Sequence, residues 1–377
     1  MPTPAAKMDA PTKNPVEKGW SANRFAWDYR AKAAELGAPV VPIIDAHTHI
    51  HGQASAQLYA EVRRLFGVER TYSMTQLPQA AAVRAVLGDT IRFIAIPTWA
   101  HADKNRAHRE LYLEDIATFH RDFGARMMKV WASPRLRDVV PDGATDLADI
   151  DSPWRRRHCT LAQALGMMFM VHIADPDTWF DAKYRDGAKY GTKAHQYVGL
   201  RRMLDQFPAP WIAAHMGGWP EDLDFLDTLL SAHANLYLDT SATKWIVRAL
   251  AAQPTERVRE FFTRWQGRML FGSDLVVMDE QLSPQKSGQS AMGELASSPA
   301  EAFELYASRY WVLRAMLETD GAFESPIADP DLMMSDPTKY TAMSAPTVRG
   351  LALPESVLRD LYRGTVARLV DAWWAKG

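Results

Sequence analysis

The sequence predicts an α/β fold in which eight βα units close into a (β/α)8 TIM barrel, with a flexible N-terminal tail and a helical insertion after strand eight. Three observations carry this prediction. Eight short apolar runs alternate with stretches of helical periodicity. The runs are too apolar for a sheet with one wet face, as expected of parallel strands buried on both sides. Nearly every unusual polar residue within them falls at the same end of its run, the end on which barrel active sites are built.

In order, the runs are "VPIIDAH" (41–47), "ERTYSMT" (69–75), "RFIAIPT" (92–98), "ARMMKVW" (125–131), "MMFMVHI" (167–173), "PWIAAHM" (210–216), "NLYLDTS" (235–241) and "RMLFGSD" (268–274). Helices are expected between them: "SAQLYAEVRRLFG" stops at a glycine, "SPWRRRHCTLAQALG" opens on a serine cap with proline in the first turn, and "WPEDLDFLDTLLSAHA" has an acidic first turn. No G-x-G-x-x-G follows the first run, which argues against a dinucleotide-binding sheet. Residues 1–40 read as a tail and 41–377 as the barrel, with an insertion at about 279–350 carrying the helix "PAEAFELYASRYWVLRAMLE". Three connections, 132–152, 174–195 and 275–353, are longer than a βα turn needs and read as binding loops.

Composition sets the outer limits. The 377 residues are 47% hydrophobic and 23% charged, with 43 Lys plus Arg against 45 Asp plus Glu, so no basic field recommends nucleic acid or an anionic membrane. No apolar run approaches the ~18 residues of a membrane span. The single cysteine, Cys159, excludes an intrachain disulfide framework and reads as a small half-buried side chain rather than a nucleophile. The first residues lack the apolar core of a signal peptide, and a cytoplasmic protein is the expectation.

Placed on the strands, His47 and His49 close the first, Lys129 lies in the fourth, His172 and His215 near the ends of the fifth and sixth, and Asp274 at the end of the eighth. Side chains alternate along a strand, so His47 and His49 share a face. Under the helices such groups would be buried without partners; in the barrel mouth they meet water, a metal or a substrate. Several imidazoles and a carboxylate suit a divalent metal, with Zn²⁺ the first expectation and Mn²⁺ or Fe²⁺ the alternatives. Asp274 and His215 are the candidates for orienting a water, taking its proton and polarising a carbonyl.

The motifs "DAHTH", "MVHIADP", "AAHMGG" and "LFGSD", in this order on strands one, five, six and eight, resemble the amidohydrolase superfamily. The resemblance is to its amidohydrolase-related branch, which includes aminocarboxymuconate semialdehyde decarboxylase and pyrone dicarboxylate lactonase. It covers roughly 41–278 and resumes in the closing helix, "LPESVLRDLYRGTVARLV". It implies that His47, His49, His172 and Asp274 bind one metal and that His215 is the catalytic imidazole. In binuclear members a carboxylated lysine on strand four bridges two metals, a role open to Lys129; the alternative is a cation that binds a substrate carboxylate or pairs with Asp274. His51 reads as a solvated bystander, and Asp45 as a support on the same face as the histidine pair. His101, His108, His120, His158, His195 and His233 read as surface or packing residues.

Trp131, Arg135 and Trp179 are the candidate substrate contacts, for a small molecule that is carboxylated or aromatic. The first functional expectation is metal-dependent hydrolysis of an amide, ester or lactone through an activated water. The second is non-oxidative decarboxylation of an aromatic or muconate-like acid, and the third a barrel that binds a ligand without catalysis. The 299–318 helix packs either on the barrel or on a second subunit of a homo-oligomer.

Overall fold

The structure, a computed structural model, describes residues 19–140, 146–288 and 290–375. All eight expected strands form where the apolar runs place them: β1 (Ile43–His51), β2 (Val68–Ser73), β3 (Ile91–Phe93), β4 (Met127–Trp131), β5 (Met168–His172), β6 (Trp211–Ala213), β7 (Leu236–Asp239) and β8 (Met269–Leu270). The eighth is interrupted. Its continuation, β9 (Leu275–Met278), lies within what the sequence suggested was a loop.

Every pairing among these nine strands is parallel, in two arcs ordered β3-β2-β1-β9 and β4-β5-β6-β7-β8; the insertion adds a separate antiparallel pair, Ala322–Glu324 with Thr347–Arg349. Backbone hydrogen bonds join the arcs at both seams. Ala95 N donates to Met127 O and Lys129 N to Ala95 O, both at 2.9 Å; at the other seam Ala46 N donates to Phe271 O and Asp274 N to His47 O, again at 2.9 Å. The ring is a (β/α)8 barrel, closed because β8 reaches β7 while β9 reaches β1.

Two apolar layers confirm the strand phases. Ile44, Tyr72, Ile94, Met127, Met168, Met170, Ile212 and Leu270 pack together inside the barrel, and Val366 and Val370 of the closing helix plug its floor. Ile43, Ile50, Met128, Phe169, Trp211, Leu238 and Phe271 face outward to the helices. Strand alternation therefore turns Lys129, His172 and Asp239 inward. In β1 the phase changes: Asp45 pairs with Thr71 and Thr48 with Ser73, three steps against two, which is a bulge. The extra residue turns His47 into the barrel but leaves Asp45 facing out, contrary to the expectation that they share a face. Asp45 instead accepts Tyr310 OH at 2.8 Å from the helix Pro299–Glu318.

That helix packs on its own barrel: Tyr306, Tyr310, Trp311 and Leu313 are all buried within the chain. The expected tail also needs correction. Residues 1–18 lie outside the described residues, but Tyr29–Leu36 is a helix, capped by Asp28 accepting from Arg30 N. Trp20 Nε1 donates to Glu304, and the Trp27 ring meets Trp311 edge-on at 4.9 Å. Apolar burial anchors this stretch through aromatics, Trp20, Trp27 and Tyr29 among them, that the tail reading did not weigh. Among the described residues, no helix is long and apolar enough to cross a membrane.

Gly272 shows how tightly the strand ends converge. A Cβ there would stand 2.9 Å from His47 Cβ, 3.3 Å from Ser241 Cβ and 3.4 Å from Asp239 Cγ. Gly272→Ala is expected to cost about 1–3 kcal/mol of stability in denaturant unfolding, the usual range for overpacking; an unchanged midpoint would mean that the three side chains yield freely.

Candidate active site

One buried carboxylate organises the mouth. Asp239, at the inward end of β7, is wholly buried and was not singled out by the sequence reading. Its Oδ2 accepts from His47 Nδ1 at 2.8 Å. Its Oδ1 accepts from His215 N at 2.9 Å, from Ser241 N at 3.0 Å and from the Ser241 hydroxyl. Burial pushes the Asp239 pKa up, but His47, His215 and Ser241 more than offset it, and the carboxyl is held well below its ordinary range.

Because an ionised carboxylate only accepts, the proton positions follow. His47 carries its proton on Nδ1, leaving Nε2 a bare lone pair. Ser241 gives its one hydroxyl proton to Asp239, so its oxygen must accept from His215 Nδ1, 2.8 Å away. His215 is thus neutral with Nε2 free, a proton acceptor; burial, reinforced by His172, depresses its pKa well below the ordinary value. Asp239 sets both tautomers.

The backbone at His215 is bent to reach this arrangement. His215 and Met216 have φ of 59° and 49°, and Gly217 and Gly218 continue the left-handed turn at 67° and 76°. Each non-glycine residue there costs roughly 1–2 kcal/mol, a strain that the two acceptors on His215 N, Asp239 Oδ1 at 2.9 Å and Ser241 Oγ at 3.2 Å, help to hold. Gly218 has a second constraint: a Cβ would lie 2.6 Å from Ala174 O.

Asp274, also at positive φ (57°), places Oδ1 at 3.2 Å from His47 Nε2 and 3.3 Å from His49 Nε2. These three donor atoms form a group suited to a metal ion. The fit has a chemical basis. Among the described residues His47 Nε2 is buried with no hydrogen-bond partner, and a bare nitrogen lone pair facing a carboxylate oxygen is repulsive unless a cation or proton lies between them. Burial and Lys129 lower the His47 pKa, yet Asp239 and Asp274 raise it further, so the site attracts positive charge at this point. His49 is pulled down by burial, and Asp274 is held well below the carboxylate range by His47 and His49 despite its burial.

His172 is not brought into this group. Its Nε2 is 2.9 Å from Asp175 Oδ1, and Asp175 is fixed in turn by the hydroxyls of Ser133 and Tyr184. The His172 ring stands edge-on to His215 at 4.5 Å. Lys129 is buried and points into the mouth, where desolvation pushes its pKa down to about 8 against the attraction of Asp239 and Asp274. Among the described residues its ammonium has no hydrogen-bond or ion-pair partner.

His51 ends β1 and is buried, its Nδ1 3.1 Å from Gln79 Oε1, so it is a packing residue rather than a solvated one. Trp131 is half-buried on the rim and packs edge-on against Trp99 at 4.7 Å, while exposed Arg135 lies 5.9 Å over Trp179. Trp179 meets Trp245 at 5.2 Å, and Trp245 meets His215 at 5.6 Å. Trp245, Asp175 and Ser241 were missed by sequence reading. Asp239 was within reach, since the alternation that turns Lys129 inward does the same for an aspartate two residues after Tyr237.

A family model described as Amidohydrolase matches residues 27–371. The chain belongs to the amidohydrolase family. The protein is therefore an enzyme of the amidohydrolase-related kind, from a metal-dependent family. Similar solved structures include an amidohydrolase from Burkholderia multivorans with bound HEPES, 13% identical over 87% of this chain and 99% of that chain, with a TM-score of 0.41. Dihydroorotase from Saccharomyces cerevisiae is 10% identical over 72% and 84%, TM-score 0.41. The 5-carboxyvanillate decarboxylase of Sphingomonas paucimobilis is 11% identical over 73% and 98%, TM-score 0.35. No curated protein matches the sequence.

Proposed function

We propose that this amidohydrolase hydrolyses an ester, amide or lactone bond of a small molecule, using one divalent cation, with zinc the first candidate because two imidazoles and a carboxylate suit it. The observation that carries the reading is His47 Nε2, buried and unpaired beside His49 Nε2 and Asp274 Oδ1. His47, His49 and Asp274 would hold the cation, and His172, outside their group and bonded to Asp175, would have to turn from that carboxylate to join them. When bound, such a cation acidifies water and polarises a carbonyl.

The chain's own residues supply the rest. Asp274 stays ionised and aligns the attacking water. His215 Nε2 takes a proton from it as the water oxygen joins the carbonyl carbon, and returns that proton to the leaving oxygen or nitrogen as the old bond breaks. The charge that appears on His215 is offset by Asp239 through Ser241. Lys129, with no partner among the described residues, holds a carboxylate of the substrate as a cation.

Decarboxylation is the second reading, favoured by that same unpaired ammonium in the mouth. The two separate on product: turnover of lactone, ester and aryl carboxylate panels in ¹⁸O-water is expected to place ¹⁸O in the organic product, whereas carbon dioxide release with no ¹⁸O in the organic product would establish the alternative. A metal-loaded protein inactive across all panels would leave a binding barrel.

Metal analysis of the purified protein is expected to give one equivalent per chain. Lys129→Ala is expected to retain it and to raise KM for a carboxylated substrate by about tenfold or more, the value of one charge-assisted contact. Two equivalents falling to one in Lys129→Ala would instead identify a carboxylated, bridging lysine.

A further inference from the structure

We propose that Asp331, supplied by the insertion, is a positioning residue that clamps Trp179 and Trp245 into one wall of the mouth, and that this wall selects substrates by a planar π-face. The inference rests on the active site proposed above and concerns what lies beside it. Trp179 comes from the connection after β5, Trp245 from the helix Thr243–Ala251 after β7, and Asp331 from the short helix Pro330–Ser335. The three segments meet at one atom. Asp331 Oδ2 accepts Trp179 Nε1 at 2.8 Å, Trp245 Nε1 at 3.1 Å and Arg248 Nη2 at 3.3 Å.

Asp331 is buried, and a buried carboxylate is stable only when donors surround it. Arg248 reinforces the arrangement by also binding Asp329. An indole has a single donor, in the plane of its ring, so fixing that N–H fixes where the ring edge points. Trp245 consequently stands edge-on to both imidazoles of the mouth, 5.6 Å and 82° from His215 and 6.2 Å and 71° from His172. Trp179 stands edge-on to Trp245 at 5.2 Å and 75°. Lys183 lies 3.3 Å over the Trp179 ring, and with Arg135 it gives the rim positive charge. A substrate that reaches His215 Nε2 therefore passes a rigid aromatic surface backed by cations, an arrangement suited to a flat unsaturated group bearing a carboxylate.

The test measures binding to the metal-loaded full chain by calorimetry, with benzoate and cyclohexanecarboxylate as probes. They match in charge and nearly in size, but only benzoate is planar. Benzoate is expected to bind roughly fivefold tighter, as aromatic contacts of about 1 kcal/mol imply. Asp331→Ala is expected to bring the two to parity with metal content unchanged, and to shift two indole N–H signals in the ¹⁵N spectrum. If Asp331→Ala does not fold, Trp245→Leu, which leaves Asp331 in place and removes the wall, is expected to erase the preference in the same way. Equal affinities in the wild type, binding of neither probe, or a preference that survives both substitutions would overturn the proposal. A wild type that prefers benzoate yet hydrolyses no ester, amide or lactone would instead sink the proposed function and leave this one standing.

Discussion

Asp274→Ala is expected to lower bound metal below one equivalent and to reduce turnover by at least about 10³-fold, since one substitution removes both the proposed ligand and the group proposed to align water. The geometry explains why the loss should be so concentrated. Asp274 Oδ1 is the common neighbour of His47 Nε2 and His49 Nε2, at 3.2 and 3.3 Å. Without it, two neutral imidazoles face each other with nothing to gather a cation between them. Backbone effects have to be separated from this chemistry. At φ 57°, alanine is strained in a way that aspartate and asparagine are not. Asp274→Asn is therefore the stricter version: it keeps the left-handed backbone and the Asp274 N–H bond to His47 O, but removes the charge. Both variants should lose metal and activity while Asp274→Asn unfolds at the wild-type midpoint. Metal content measured on dialysed protein decides it, and a fully loaded, active Asp274→Asn would remove Asp274 from the site.

The parts of this site that the sequence discloses are those dictated by local rules. Alternation along a strand places His49, Lys129 and His172 inward before any coordinates are known, and the shared polarity of the strand ends marks the mouth. The same rule fails at Asp45, because a bulge depends on how β1 pairs with β2, and nothing in "IIDAHTH" announces the extra residue. It fails again at the eighth strand, where "FGSD" leaves the ladder so that one half pairs with β7 and the other with β1. Asp331 is less legible still. It reaches Trp179 and Trp245 across 152 and 86 residues of chain, a meeting fixed only once the barrel and its insertion pack together. His172 lies between these cases: its inward phase is legible, but the orientation of its ring depends on Asp175, whose own position depends on Ser133 and Tyr184.

Asp239→Asn is expected to weaken metal binding by roughly 10–100-fold, the range found when a group that orients a metal-binding histidine is lost. The substitution changes one oxygen to an NH2 and nothing in size, so its effect isolates proton placement. In the wild type all four contacts on the Asp239 carboxylate are donors: three converge on Oδ1 and His47 Nδ1 approaches Oδ2. Asparagine must turn its NH2 to one side. Facing Oδ1's partners it would oppose three donors; facing His47 it opposes one, so it takes the His47 side and forces that ring to move its proton from Nδ1 to Nε2. The nitrogen that the cation needs is then protonated. Asparagine also removes the negative charge that reaches His215 through Ser241, so turnover should fall further than metal loss alone accounts for, and saturating metal should restore only part of it. Competition with a chelator gives the affinity, and ¹⁵N spectra of the imidazoles report which nitrogen of His47 carries the proton. Wild-type affinity with His47 still protonated on Nδ1 would show that Asp239 does not set this tautomer.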